Sequence, residues 1–252
     1  MRTVPPAGTI EDPVMPQIDL AELLFIAIRS GDLTALGQLL ADNPGLESAP
    51  LRGRHSTRTP LHIVADWPGY FPNGPQVVRL LTEAGADPNA RSPGDETPLH
   101  WAASSDDSDV ANALIDAGAN VDAPDGSIGT PLANAVGYGC WHVARLLVDR
   151  GARVDEAWQA AAVGMLERLE ELVGDRPNPG ELSKAFWHAC AAGQRRTAEY
   201  LLARGADLNW VPDYAEGTLL DAASSASTRQ ENVVSWLRTL GARSSHSDDT
   251  PR

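Results

Sequence analysis

At 252 residues, 42% of them hydrophobic, the chain could hold one or two ordinary domains or a single repeat array, and its formal net charge of -14 excludes attraction to a nucleic-acid phosphate backbone. The longest uninterrupted apolar run, Leu23 to Ile28, falls far short of the roughly twenty residues that span a bilayer, so no transmembrane helix is predicted. Residues 1–17 carry four prolines and no apolar core and do not read as a signal peptide. The two cysteines, Cys140 and Cys190, are expected as free thiols, which suits a reducing compartment, and the chain is read as cytoplasmic. A single lysine, Lys184, among many arginines and alanines suggests a GC-rich bacterial genome.

From Leu24 onward the sequence is punctuated at regular intervals. A first unit, about residues 19–46, carries Leu24, Ala27, Gly31 and the pair Leu39-Leu40. The second opens on Thr59-Pro60-Leu61-His62, the third on Thr97-Pro98-Leu99-His100-Trp101-Ala102-Ala103, and the fourth on Thr130-Pro131-Leu132. Each of these is followed by an apolar pair and a Gly-Ala: Gly85-Ala86, Gly118-Ala119 and Gly151-Ala152, with 33 residues from Gly85 to Gly118 and again from Gly118 to Gly151. A fifth unit follows almost at once, with Ala157–Gly164 as its first helix and Met165–Val173 as its second, so the turn ahead of it is expected to be missing. A sixth runs from Lys184 to Asn209, and a seventh from Thr218 to Ala242, with a polar tail behind it. The hydroxyl-proline starts predict helix caps, and the recurring glycines Gly31, Gly139, Gly164 and Gly193 predict left-handed helix ends, with Asp106 standing in for that glycine in the third unit.

This period and these motifs resemble the ankyrin repeat, a short turn plus two antiparallel helices. The resemblance implies an all-α solenoid of about seven helix-turn-helix units with short hairpin-like turns. The expected organisation is a flexible tail over 1–18, the repeat domain over 19–243, and a second flexible tail over 244–252. It also implies a binding scaffold whose target is set by variable surface positions, since fold alone does not assign function.

The chemical candidates mostly have a structural reading. His62 and His100 occupy the motif histidine, which the resemblance assigns to hydrogen bonds inside the turn and to the neighbouring repeat. Asp106, Asp107 and Asp109 lack the glycine and distant glutamate of an EF-hand loop and read as an acidic helix start. Nucleophile-elbow, Walker, HExxH and paired CxxC patterns do not occur in the sequence, so no cofactor or metal is expected and the chain is read as non-enzymatic.

The departures from the repeat point elsewhere. Between Thr59 and Gly85 five extra residues fall within 66–75, and they bring Trp67, Tyr70 and Phe71 into a loop. Trp67 and its counterpart Tyr138 fall where the resemblance places the concave groove, and Trp210 and Tyr214 lie in the turn before the seventh unit. These aromatics are expected to contact a partner protein or peptide, with Asp66, Glu96, Ser104, Ser105 and Asp106 forming an acidic polar surround that favours a basic one. The alternative is a small-molecule or catalytic groove covered by the 66–75 insertion. Trp101 and Trp236 are expected in the core, and Trp158 and Trp187 either in the core or lining the groove.

Overall fold

A computed structural model describes residues 19–52, 57–225 and 230–245. The tail expected over 1–18 and most of the one expected over 244–252 lie outside these residues. Ser244 and Ser245 are described, and both donate hydroxyl hydrogen bonds to the Asp221 carboxylate.

Among the described residues seven helix pairs follow one another: α1 (Leu20–Ser30) and α2 (Leu33–Asp42), α3 (Pro60–Ala65) and α4 (Gly74–Glu83), α5 (Pro98–Ser104) and α6 (Ser108–Asp116), α7 (Pro131–Gly137) and α8 (Trp141–Asp149), α9 (Ala157–Val163) and α10 (Leu166–Val173), α11 (Pro179–Ala191) and α12 (Arg195–Ala203), and α13 (Leu219–Ala223) and α14 (Glu231–Thr239). Among the described residues the only strands are β1 (Leu51–Arg52) and β2 (Thr57–Arg58), an antiparallel pair ahead of α3 with Leu51 opposite Arg58. The first helix of each pair packs on the first helix of the next, from α1 on α3 through α11 on α13, which makes one face of the array. The second helices α2, α4, α6 and α8 make the other. The core is the seam between the rows, filled once per repeat by residues such as Leu61, Leu99 and Leu132 from the first helices and Leu81, Leu114 and Leu147 from the second.

The Thr-Pro-Leu-His motif shows why these short helices start where they do. Thr59 caps α3 as one half of a capping box: its side chain accepts from the His62 backbone N–H, and His62 Nδ1 accepts from the Thr59 N–H at 3.3 Å. A histidine here fills the role that Glu or Gln usually plays at the third helical position. Thr97 and His100 repeat the arrangement at 3.1 Å. The outward nitrogens then tie the repeats together, His62 Nε2 to the Glu96 carbonyl and His100 Nε2 to the Gly129 carbonyl, both at 3.0 Å. Since Nδ1 accepts a backbone N–H while Nε2 faces a carbonyl, the hydrogen-bond network assigns both rings as neutral Nε2–H tautomers.

Three departures from the regular repeat stand out. Asp106 takes φ 55° in place of the helix-ending glycine, and its carboxylate reaches forward to accept from the His142 and Val143 N–H groups, each at 3.0 Å. It therefore caps α8 of the following repeat, whose own N-cap residue Cys140 supplies no side-chain capping bond. The sixth repeat starts earlier than the expected Lys184, because Asn178 accepts from the Gly180 and Glu181 N–H groups and Pro179 occupies the first turn of α11. Between α8 and α9 the chain passes directly from Arg150 to Glu156 with no protruding turn, and α10 packs on α9 and α12 but barely touches α8.

Candidate functional site

The insertion at 66–75 is a brace between the first and third repeats. On one side Asn73 Nδ2 donates to the Gly31 carbonyl at 2.9 Å, and Arg29 donates to the Trp67 carbonyl at 3.3 Å and to Asp66 at 3.2 Å. On the other, the Tyr70 N–H donates to Asp107 and the Tyr70 hydroxyl donates to the Asp106 carbonyl at 2.7 Å. Tyr70 is held at φ 53°, in the left-handed region that a bulky residue rarely enters, and these two bonds fix it there. Phe71 folds back beneath the Arg29 guanidinium, 4.1 Å from its ring centre.

Trp67 behaves differently: it is 75% exposed at the edge of a cleft of about 240 Å³. Asp66, Glu96, Trp101, Ser104, Ser105, Ser127 and Tyr138 complete the lining. The cleft opens on the first-helix face, between the ends of α3, α5 and α7 and the turns that precede α5 and α7. Tyr138 is 55% exposed and also walls a second cleft of about 300 Å³, lined further along by Trp141, Trp187, His188, Ala191 and Tyr214. Tyr214 is 59% exposed, stacks on His188, and shares a hydrogen bond of 3.1 Å with its Nε2. Two shallow clefts with Tyr138 between them thus run along one face of the array.

Several residues expected in the acidic polar surround are committed to the fold. Asp66 is bound by Arg29 at 3.2 Å and by Arg58 at 2.5 Å, two guanidiniums on one carboxylate. Asp106 caps α8 and lies 2.6 Å from His142 Nδ1. Ser105 is buried and donates to the Ala65 carbonyl at 3.0 Å, while Ser104 donates to the His100 carbonyl at 2.9 Å. Trp210 is partly buried against the core and takes no part in either cleft lining. Glu96 is held by uncharged donors instead. Burial works against its ionisation, but hydrogen bonds from the Ser127 N–H and the Asn134 amide, both at 3.0 Å, more than offset this and hold its pKa below the ordinary glutamate value.

The remaining aromatic and titratable groups sort by burial. Trp158 and Trp187 are both packed in the core, Trp158 with its ring 5.0 Å from His188. Trp101 and Trp236 are partly buried against it. Burial pushes the pKa of His62 down to about 4 and that of His188 to about 4, and it lowers His100 as well, so these rings are poor bases at neutral pH. It raises the Cys140 thiol to about 11 and Cys190 further, which leaves both buried thiols unreactive. Among the described residues the indole N–H groups of Trp101 and Trp141, one from each cleft, have no hydrogen-bond partner, a condition that costs roughly 1–3 kcal/mol per buried donor. Among the described residues no group of three or more histidines, cysteines or carboxylates is placed to hold a metal.

Trp141 and Ser127 line these clefts although no sequence motif marks them. Trp141 falls just after the left-handed Gly139 that ends the first helix, and that position was the available signal.

Residues 70–157 match the family model described as ankyrin repeats, in three copies. No curated protein matches the chain. Among the described residues no helix is long and apolar enough to cross a membrane.

Proposed function

We propose that this chain, which belongs to the ankyrin repeat family, is a non-enzymatic interaction scaffold that grips a partner protein or peptide on its first-helix face. Ankyrin repeats are protein-interaction modules in general; the partner's character is the finer question. The observation that carries the reading is the alignment of Trp67, Tyr138 and Tyr214, each more than half exposed, along two adjoining clefts. Exposed aromatics on a rigid scaffold are the residues that dominate interface energies, and a solenoid holds them at fixed spacing. Tyr70 sits beside this row, and Phe71 supports it from beneath Arg29.

A small-molecule site is a weaker fit. Pockets for drug-sized ligands run to about 300–1,000 Å³ and bury most of the ligand. The cleft under Trp67 is about 240 Å³, and the tryptophan stands in solvent rather than closing over it. A larger hollow of about 630 Å³ lies on the opposite face between α4, α6 and α8, but polar side chains and small alanines make up most of its lining, with no aromatic anchor. The buried free thiols support a cytoplasmic setting, and the overall charge favours a neutral or basic partner.

Peptides selected by display on the immobilised protein provide the test. Calorimetry of a selected peptide should show affinity lost by about tenfold or more in Trp67→Ala/Tyr138→Ala, the scale of an aromatic hot spot. Arg79→Ala, on the opposite face, should bind like the wild type. Selected peptides indifferent to the double substitution would remove the groove from the account.

A further inference from the structure

We infer that the cleft between Trp67, Trp101 and Tyr138 seats one cationic side chain of the partner, an arginine or a lysine, with Glu96 as its counter-charge. This rests on the first-helix face being the docking surface. Aromatic ring faces attract cations through their quadrupole, and Trp67 and Tyr138 line this small cleft beside Trp101, whose ring Arg58 already approaches at 5.7 Å. The two carboxylates in the lining are not equivalent. Asp66 already holds Arg29 and Arg58, whereas the hydrogen bonds that Glu96 accepts come from uncharged groups of Ser127 and Asn134. Among the described residues Glu96 has no cation within ion-pair distance, so an ionised carboxylate faces the cleft without a counter-ion.

The chain uses the same chemistry beside the site. Arg29 lies 4.1 Å from the Phe71 ring centre, Arg58 lies 5.7 Å from that of Trp101, and Lys184 lies 4.9 Å from that of Trp158. Among the described residues Trp67 and Tyr138 have no such cation, although they are the exposed rings of the set. Arg58 does not substitute for an incoming charge, because its guanidinium is held 2.5 Å from Asp66. A cleft of about 240 Å³ suits a single side chain. The net charge of -14 steers a basic segment toward the protein, more strongly at low salt.

The probes are Nα-acetyl-arginine amide and Nα-acetyl-lysine amide, titrated into the full chain and followed by NMR at the Trp67 indole and the Tyr138 ring. Saturable shifts are expected with at least one of them, and the neutral Nα-acetyl-norleucine amide should bind about tenfold more weakly or not at all. Glu96→Gln keeps an oxygen to accept from the Ser127 N–H and should still lose several-fold affinity for the cation. Trp67→Ala, at an exposed position, should abolish the shifts at Tyr138. Equal binding of the norleucine amide, no saturable shift with either cation, or unchanged affinity in a folded Glu96→Gln protein each overturns the inference. Display-selected peptides that bind this face without needing an arginine or lysine would sink the cation seat and leave the docking face intact. Failure of every peptide to bind the face would sink both.

Discussion

Acidification from pH 7 to 5 should weaken the array through its buried histidines, before carboxylates contribute much. His62 and His188 have folded-state pKa values pushed to about 4, against an ordinary 6.5. A depressed histidine is bound to fewer protons in the native state than in the unfolded one. The stability tied to its neutral form is therefore fully present above pH 6.5 and is lost as pH falls toward 4. Each imidazole kept neutral contributes a slope of up to about 1.4 kcal/mol per pH unit, or roughly 2 kcal/mol between pH 6.5 and 5. The pair should thus lose on the order of 4 kcal/mol over that interval, with a smaller addition from His100. Glu96 and Asp221 have pKa values below the ordinary ones for their side chains, so both stay ionised in the folded protein over this window. Urea unfolding followed by tryptophan fluorescence at pH 7, 6 and 5 measures the slope. His62→Gln, which keeps an acceptor for the Thr59 N–H, should flatten it by about half. A urea midpoint that stays flat from pH 7 to 5, or a slope unchanged in His62→Gln, would show that these rings are not held neutral by burial.

Other substitutions test separate pieces of the fold. Gly31→Ala places a Cβ 1.9 Å from the Pro72 carbonyl oxygen at φ 65° and should cost about 2 kcal/mol or more in a urea titration, because the insertion must shift. Asp106→Ala should lower stability by about 1–2 kcal/mol through loss of the α8 cap, whereas Asp106→Asn, which tolerates the left-handed backbone and still offers an oxygen, should cost less. Cys140 and Cys190 should resist a neutral thiol reagent in native protein at pH 7 and react once urea unfolds the repeats.

The repeat itself was legible because its cues are local. Thr59 and His62, or Thr97 and His100, sit three residues apart and make a capping box within one turn, so the pattern carries its own structure. The left-handed Asp106 could likewise be read from its position in the period, but its use could not, since the α8 N–H groups it caps lie 36 and 37 residues further along. The same limit explains Asp66. Its pairing with Arg29 arises only when the first and second repeats stack, and a loop aspartate otherwise looks free. The start of α11 is a different case: the Asn178 cap and Pro179 are local signals, and the helix begins there rather than at the expected Lys184. Trp67 and Tyr138 could be placed by counting from the motif, while their sharing of adjoining clefts depends on how far each repeat rotates against the next.

The measurement closest to the central claim is an NMR footprint of a display-selected peptide bound to the whole chain. The resonances of Trp67, Trp101, Tyr138 and Tyr214 should move together, while those of Arg79, Thr82 and Asn112 on the opposite face stay in place. A footprint confined to Arg79, Thr82 and Asn112 would contradict that claim.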